Sequence, residues 1–229
     1  MRIVAIETSG RDATLAALEG EAGGTARAVA EAAVVGPERT AQFLTPRLKE
    51  LLAAVDWQVS AIQLVAVVVG PGSFTGLRIG VTAAKTLAYA IGADVIGVNA
   101  LAVIADQAPV VAAPLWAVID AQRQELFAAE FDAARRMVGE VQVLTQSEWL
   151  AELNAGDRVS GPVLQKLQAN LPKEVKCIES SLWTPQAATV GQLAWREFQA
   201  GRRDDLWTLL PQYYRQSAAE EKANARSHE

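Results

Sequence analysis

A glycine-rich turn between an apolar strand and an Ala-rich helix constrains the fold of this chain more than any other feature. Residues 70–80 read Gly-Pro-Gly-Ser-Phe-Thr-Gly-Leu-Arg-Ile-Gly, after the apolar run 64–69 and at the start of a helical pattern over residues 75–91. Glycine permits tight turns and close backbone approach, and the free N–H groups of a helix N-terminus attract anions. This order predicts an α/β protein. The turn itself is either a phosphate cradle or an architectural bend.

The loop matches no standard phosphate-binding motif. Its candidate residues, forming a vestigial or weak phosphate site, are Gly70, Gly72, Ser73, Thr75 and Gly76. A Walker loop needs two glycines five residues apart followed by Lys and Ser or Thr, and the dinucleotide fingerprint needs a third glycine where Thr75 stands. Ser73 has no base that would activate it as a nucleophile.

The composition excludes several classes of chemistry. The chain has 229 residues, of which 51% are hydrophobic and 21% charged, as in an ordinary soluble protein with one large domain or two lobes. Its single histidine, His228, is next to last, which excludes a His-assisted nucleophile and a His-pair metal site. A net charge of −5 argues against tight autonomous binding of RNA.

The chain has the features of a cytoplasmic protein. No apolar run approaches the ~20 residues of a membrane span, and the N-terminus enters a strand without the apolar core of a signal peptide. The single cysteine, Cys177, cannot form an internal disulfide and is expected to be structural.

The order of predicted elements indicates an internal duplication. Two βββαβα-like halves meet near Asn99, which predicts lobes over residues 1–99 and 100–229, with a polar tail from about residue 216. In the first half, strands are predicted at 2–8, 14–19, 27–35, 64–69 and 95–98, and helices at 38–55 and 75–91. In the second half, strands are predicted at 115–120, 125–132, 138–144 and 159–161, and helices at 99–107, 163–169, 189–200 and from N-cap Ser147 to 153.

Both helices of the first half carry a face that is not needed for the core. On helix 38–55 the leucines gather on one stripe, while Phe43 and Arg47 lie away from it. On helix 75–91 the stripe opposite the apolar face consists of Arg78, Thr82, Lys85 and Tyr89. Each face is a candidate partner surface. The ordinary alternative is a local contact with another loop at Phe43 and a solvated stripe on the second helix.

The glycine loop resembles the signature of the bacterial TsaB (YeaZ) family of the Gcp/TsaD-like superfamily. Residues 3–9 and 14–18 resemble the opening hairpin of that family, and residues 38–42 resemble its Glu-His-Thr-Gln helix start. Residues 120–127 are similar to its Asp-Ala-Arg-x-x-Glu-Val-Tyr hairpin, and residues 211–215 to its Pro-x-Tyr-x-Arg tail. The resemblance thus extends over most of the chain.

The resemblance implies a two-lobed actin/sugar-kinase/Hsp70-like (ASKHA) fold and a non-catalytic role. The family binds and activates the TsaD threonylcarbamoyltransferase, together with the TsaE ATPase, in forming threonylcarbamoyladenosine at position 37 of tRNA. It implies a homodimer when alone, only indirect contact with tRNA, no membrane and no metal or cofactor, with ATP or ADP at the partner junction left open. The helices flanking the loop would form the interface, and its candidate residues are Arg39, Phe43, Arg47, Arg78, Thr82, Lys85 and Tyr89.

The chain departs from the family pattern at two positions. Glu7 replaces the usual aspartate, and its extra methylene would displace the carboxylate and weaken any metal or phosphate role. Arg39 replaces the usual histidine, which leaves the interface assignment intact but changes the local polar groups. The first alternative function is an ATP-dependent kinase or ATPase of the same fold, with Glu7 or Asp120 holding magnesium. A glycoprotease is the least supported alternative, because it would need a zinc site or an activated nucleophile. The TsaD family carries metal-binding histidines in a His-x-x-x-His helix, but the corresponding helix here, which starts at Asn99, contains no histidine.

Overall fold

The first half of the protein is a five-stranded mixed sheet. A computed structural model describes residues 1–36 and 40–215, and the strand order of this sheet is β3-β2-β1-β4-β5. Strand β1 pairs antiparallel with β2 and parallel with β4, and β4 is also parallel to β5. The strands are β1 (Arg2–Glu7), β2 (Ala13–Gly20), β3 (Ala26–Val34), β4 (Leu64–Gly70) and β5 (Asp94–Asn99).

The second half repeats this design. Its sheet has the order β8-β7-β6-β9-β10, with the same antiparallel pairs on one side of β6 and parallel pairs on the other. The repetition confirms the predicted α/β fold with duplicated halves. The strands are β6 (Leu115–Gln122), β7 (Glu125–Phe131), β8 (Met137–Thr145), β9 (Arg158–Ser160) and β10 (Lys176–Cys177).

Helices cover both faces of the first sheet. Helices α1 (Thr40–Ala54) and α2 (Phe74–Ile91) pack side by side on one face. Helix α6 (Ala187–Gln199) crosses the other face, and α3 (Ala100–Gln107) lies between the first and second sheets and contacts both. Because β4 is sandwiched between these layers, all its residues are buried, which explains its unbroken apolar sequence. The lobe boundary near Asn99 stays a prediction; α6, from the second half, packs on the first sheet.

Three local predictions were wrong in the second half. Helix α4 (Gln146–Glu152) has Thr145, not Ser147, as its N-cap, because the Thr145 hydroxyl accepts the Glu148 N–H while the Glu148 carboxylate accepts the Thr145 N–H, a capping box. The helix predicted at 163–169 is shorter, α5 (Leu164–Leu167), followed by a 3₁₀ turn at Gln168–Asn170. Strand β10 was missed, since two residues show no alternation.

The remaining predicted elements agree with the structure to within a few residues. The start of the helix predicted from residue 38 and the tail from residue 216 lie outside the described residues, as does His228. No helix among the described residues has the length and apolar character needed to cross a membrane.

Candidate functional site

The glycine loop is tied to the end of β1. Strand β4 ends at Gly70 and helix α2 begins at Phe74, with Ser73 as its N-cap. The Ser73 hydroxyl accepts the N–H of Gly76 at 3.2 Å, and the Ser73 N–H donates to the carbonyl oxygen of Ser9 at 2.8 Å. Part of the donor capacity at this helix start is therefore used within the protein itself.

Close packing on the end of β1 explains the glycines of the loop and of α2. A Cβ atom at Gly72 would lie 2.6 Å from Cβ of Ser9, and one at Gly76 would lie 2.0 Å from the carbonyl oxygen of Thr8. At Gly80 it would lie 2.1 Å from Oγ1 of Thr8. These distances are too short for any larger residue, so the glycine pattern follows from architecture. The phosphate site over residues 70–76 stays a prediction.

Glu7, at the end of β1, has its carboxyl group sealed inside the protein. Its Oε1 atom accepts the N–H of Ser9 at 2.7 Å and also the Ser9 hydroxyl, and its Oε2 atom has no hydrogen-bond partner among the described residues. Burial raises the pKa of Glu7 from 4.5 to about 7, and the hydrogen bonds from Ser9 offset only part of this effect. The group is thus a buried acid that lies away from solvent.

Asp120 occupies the same place in the second half. It lies near the end of β6, as Glu7 ends β1, and its Oδ1 atom accepts the N–H of Gln122, two residues on, at 2.8 Å. Its Oδ2 atom is 2.9 Å from Nζ of Lys166 in α5, forming an ion pair. The two carboxylates, either of which would hold magnesium in the kinase alternative, therefore share a turn geometry but differ in environment, one buried and the other ion-paired.

The structure contains a second Gly-Pro turn that the sequence patterns did not predict. Gly161-Pro162 follows β9 just as Gly70-Pro71 follows β4, and both glycines have positive φ, 140° and 132°. At Gly161 a Cβ atom would lie 1.9 Å from the carbonyl oxygen of Val118. The repeated dipeptide after a strand was the signal that could have revealed this turn, and with it Lys166 in the helix that follows.

These two turns face each other across a cleft of about 450 Å³. Of the predicted loop residues, Gly72 and Ser73 line it, whereas Gly70, Thr75 and Gly76 do not. The other half contributes Asp120 and Lys166, whose charges neutralise each other. The remaining lining residues are Ser9, Phe74, Ile119, Ala121, Gln122, Pro162 and Val163.

Metal and thiol chemistry find little support in the described structure. Within residues 1–36 and 40–215, no three side chains of His, Cys, Asp or Glu come together as a metal site. Burial raises the pKa of Cys177, which keeps its thiol protonated and poorly nucleophilic. This agrees with the structural role predicted for Cys177.

The predicted surface on α1 is partly exposed. Phe43 is 46% exposed and lies beside Arg47, which forms an ion pair with Glu50 at 2.6 Å. Together with Pro46 and the end of β3 they line a shallow groove of about 390 Å³. Arg39, the other α1 residue predicted at the interface, lies outside the described residues.

The predicted stripe on α2 is not a plain solvated face. Arg78, Thr82 and Tyr89 are exposed, but a C-terminal strap, residues 206–213, lies along the helix and half-buries Lys85. The Lys85 ammonium donates to the carbonyl oxygens of Trp207 at 3.3 Å and Leu209 at 3.0 Å. In the sequence, residues 211–215 stand out only as a tail motif, and no local pattern predicts that they reach α2.

The strap also fixes the position of Arg78. The guanidinium lies 3.9 Å from the ring centre of Phe74, and its Nε donates to the Tyr213 hydroxyl at 3.0 Å. The Phe74 and Tyr213 rings are 4.8 Å apart, and Tyr89 packs edge-on against Trp207 at 5.6 Å. An oriented cation with two aromatic rings therefore lies near the start of α2, and a second aromatic pair lies near its end.

Comparison with known proteins identifies relatives over most of the chain. The family model described as "TsaD: tRNA N6-adenosine threonylcarbamoyltransferase" matches residues 35–176, more than half of the sequence. The tRNA threonylcarbamoyladenosine biosynthesis protein TsaB of Bacillus subtilis is 27% identical over 190 residues, 77% of this chain and 80% of that protein. An uncharacterized protein of Mycobacterium bovis is 30% identical, over 82% and 81% of the two chains. The solved structure of YeaZ from Pseudomonas aeruginosa is 25% identical with a TM-score of 0.78, covering 93% of this chain and 99% of that one.

Proposed function

The chain belongs to the TsaB/YeaZ family, and from this premise we propose that it takes part in forming threonylcarbamoyladenosine in tRNA. Its role there is that of a non-catalytic cytoplasmic subunit. It binds and activates a TsaD-type threonylcarbamoyltransferase, in a complex that includes a TsaE-type ATPase. The pathway is supported by the names of its relatives, and the non-catalytic role by the site itself.

The environment of the two carboxylates carries the non-catalytic assignment. Metal-assisted phosphoryl transfer needs charged oxygen ligands that face the substrate. Glu7 is sealed against Ser9 with a pKa raised to about 7, and Asp120 is neutralised by Lys166. Glu7 lies buried away from the cleft solvent, and Asp120 would have to give up its ion pair with Lys166 to hold a magnesium ion.

The paired helices α1 and α2 are the proposed docking face. They lie next to each other on the outer side of the first sheet, and Phe43 on one and Tyr89 on the other expose aromatic area to solvent. The catalytic subunit covers this face, and in its absence a second copy of the chain does. Because the net charge is −5, contact with tRNA is assigned to the partner.

Reconstitution tests this proposal. TsaD, TsaE and a threonylcarbamoyl-adenylate synthase are incubated with tRNA, with and without this chain, and modified adenosine is measured by mass spectrometry. We expect modification to need the chain. Phe43→Asp should weaken it, and Val110→Asp, an equally drastic change at a residue 76% exposed and remote from both helices, should not. Modification that proceeds equally well without the chain would contradict the proposal.

An ATP-dependent kinase or ATPase is the second candidate, and the cleft between the Gly-Pro turns is the observation that favours it. Titration of the isolated chain with ATP and magnesium separates the two functions. Micromolar affinity with magnesium-dependent hydrolysis supports the enzyme, whereas absence of binding at millimolar ATP supports the scaffold.

A further inference from the structure

We infer that the partner-binding surface extends from α1 and α2 onto the chain's own C-terminal strap. It accepts a partner protein surface that is apolar at its centre and carries a carboxylate opposite Arg78. The inference rests on the proposed function and deepens it, because it names the residues and the chemistry of docking. The strap patch consists of Phe74, Arg78, Tyr89, Trp207, Leu210 and Tyr213.

The patch has the composition of an interface centre. Trp207 is 73% exposed, Leu210 65% and Tyr89 66%. Binding hot spots are enriched in Trp, Tyr and Arg, and contiguous exposed apolar area in a soluble protein marks a contact surface. The helix face alone supplies Phe74, Arg78 and Tyr89, so the strap provides the other three of the six residues.

The strap is held in place before any partner arrives. Lys85 donates to two of its carbonyl oxygens, and the N–H of Gln212 donates to the carbonyl oxygen of Val69 at 2.7 Å. Leu206 and Leu209 pack against the core layer beneath α2. Association loses free energy when side chains and loops become ordered. Because folding already orders the strap, that loss is smaller when a partner binds.

Arg78 sets the charge of the patch. Its Nε is engaged by Tyr213, while its two Nη groups form no hydrogen bond or ion pair with any part of the described chain. The guanidinium is oriented by Phe74 beneath it, so its open edge is fixed. A planar guanidinium edge matches a carboxylate through two parallel hydrogen bonds, which is why the partner is expected to place an Asp or Glu there.

The same rings could stack on unpaired bases, yet the charges favour a protein. Affinity for RNA comes from several phosphate contacts, but this patch has one cation, and Lys85 beside it is used to hold the strap. The whole chain carries a net charge of −5, which repels a polyanion. An apolar centre with a single fixed cation fits an apolar protein surface with a single acidic side chain.

The test measures affinity of the full-length chain for the TsaD subunit of the same organism by calorimetry. We expect Trp207→Ala to weaken binding about 30-fold or more, and Leu210→Ala and Arg78→Gln each about 10-fold. The matched controls are Val110→Ala and Arg27→Gln, both on exposed surface away from the patch, and they should stay within about twofold of the parent chain. If Trp207→Ala perturbs folding, the other two patch variants decide.

Each outcome has a separate meaning. If the parent chain binds TsaD and all three patch variants bind equally well, the extension onto the strap is refuted while the proposed function stands. If the parent chain does not bind TsaD, the proposed function fails and the inference with it. If Trp207→Ala loses binding to a labelled tRNA but still binds TsaD normally, the patch binds RNA and the proposed protein partner is wrong. If Arg78→Glu weakens binding and a TsaD variant with one Asp or Glu replaced by Lys restores it, that position on TsaD carries the opposing carboxylate.

Discussion

Replacement of Gly80 by alanine tests whether the glycines of α2 serve packing. The new methyl group would lie 2.1 Å from Oγ1 of Thr8 and 3.3 Å from its Cβ and Cγ2. Thr8 is 2% exposed, so its side chain has little room to move away. The clash depends on one atom of one side chain, and removing that atom should make the alanine acceptable.

The expected magnitudes follow from two opposing effects. Overpacking of a buried site costs about 1–3 kcal/mol, while alanine in a helix gains about 1 kcal/mol over glycine. Gly80→Ala should therefore lower the free energy of unfolding by up to about 2 kcal/mol, or the melting temperature by up to about 8 °C for a chain of this size. In a Thr8→Ala background, the same change should be neutral or stabilising by up to about 1 kcal/mol.

A double-mutant cycle measures this coupling by urea denaturation with circular dichroism. Gly76→Ala is the internal control, because its methyl group would meet the backbone carbonyl of Thr8 at 2.0 Å, and Thr8→Ala does not remove that atom. It should destabilise the protein in both backgrounds. If the cost of Gly80→Ala is the same in both backgrounds within about 0.5 kcal/mol, the steric explanation is wrong.

Two further predictions concern Glu7 and Lys85. The folded-state pKa of Glu7, about 7, lies above its ordinary value of 4.5, so the folded chain retains the proton that the unfolded chain has lost. Its contribution to stability is full below about pH 4.5, declines as the pH rises to about 7 and is then level, a loss of about 3 kcal/mol. Melting temperatures at pH 5–8 should therefore fall less steeply for Glu7→Gln than for the parent chain, and parallel curves would contradict the assignment. Lys85→Met removes both hydrogen bonds that the ammonium group donates to the strap, so amide hydrogen exchange in residues 206–213 should accelerate about tenfold or more while α1 is unaffected; unchanged exchange would show that other contacts hold the strap.

Much of the fold could be predicted because local sequence patterns are strong. The apolar runs of β1, β4 and β6, the helical stripes of α1 and α2 and the glycine punctuation all agree with one another. The weakest predictions were the short elements of the second half, where α5 has four residues and β10 has two. Elements of that length contain less than two periods of any pattern, so tertiary contacts decide them.

The candidate site was predicted less completely. Phe43 and the α2 stripe were selected by their place off the core face, and the exposure of Phe43 agrees with that selection. The sequence did not predict that the strap covers Lys85, because the hydrogen bond from Lys85 to the carbonyl oxygen of Leu209 joins positions 124 residues apart. Arg78 and Tyr213 are 135 residues apart, and no periodicity links positions at such a separation.

The sequence by itself determined the duplicated α/β architecture, because alternation, helical spacing and turn chemistry are properties of neighbouring residues. It also determined the family, through motifs spread from residue 3 to residue 215. The tertiary structure decided what those motifs do. It turned the glycines toward Thr8 and Ser9, sealed Glu7 from solvent, and laid the strap along α2. Each of these outcomes depends on which distant surfaces meet in the folded chain, and therefore on packing.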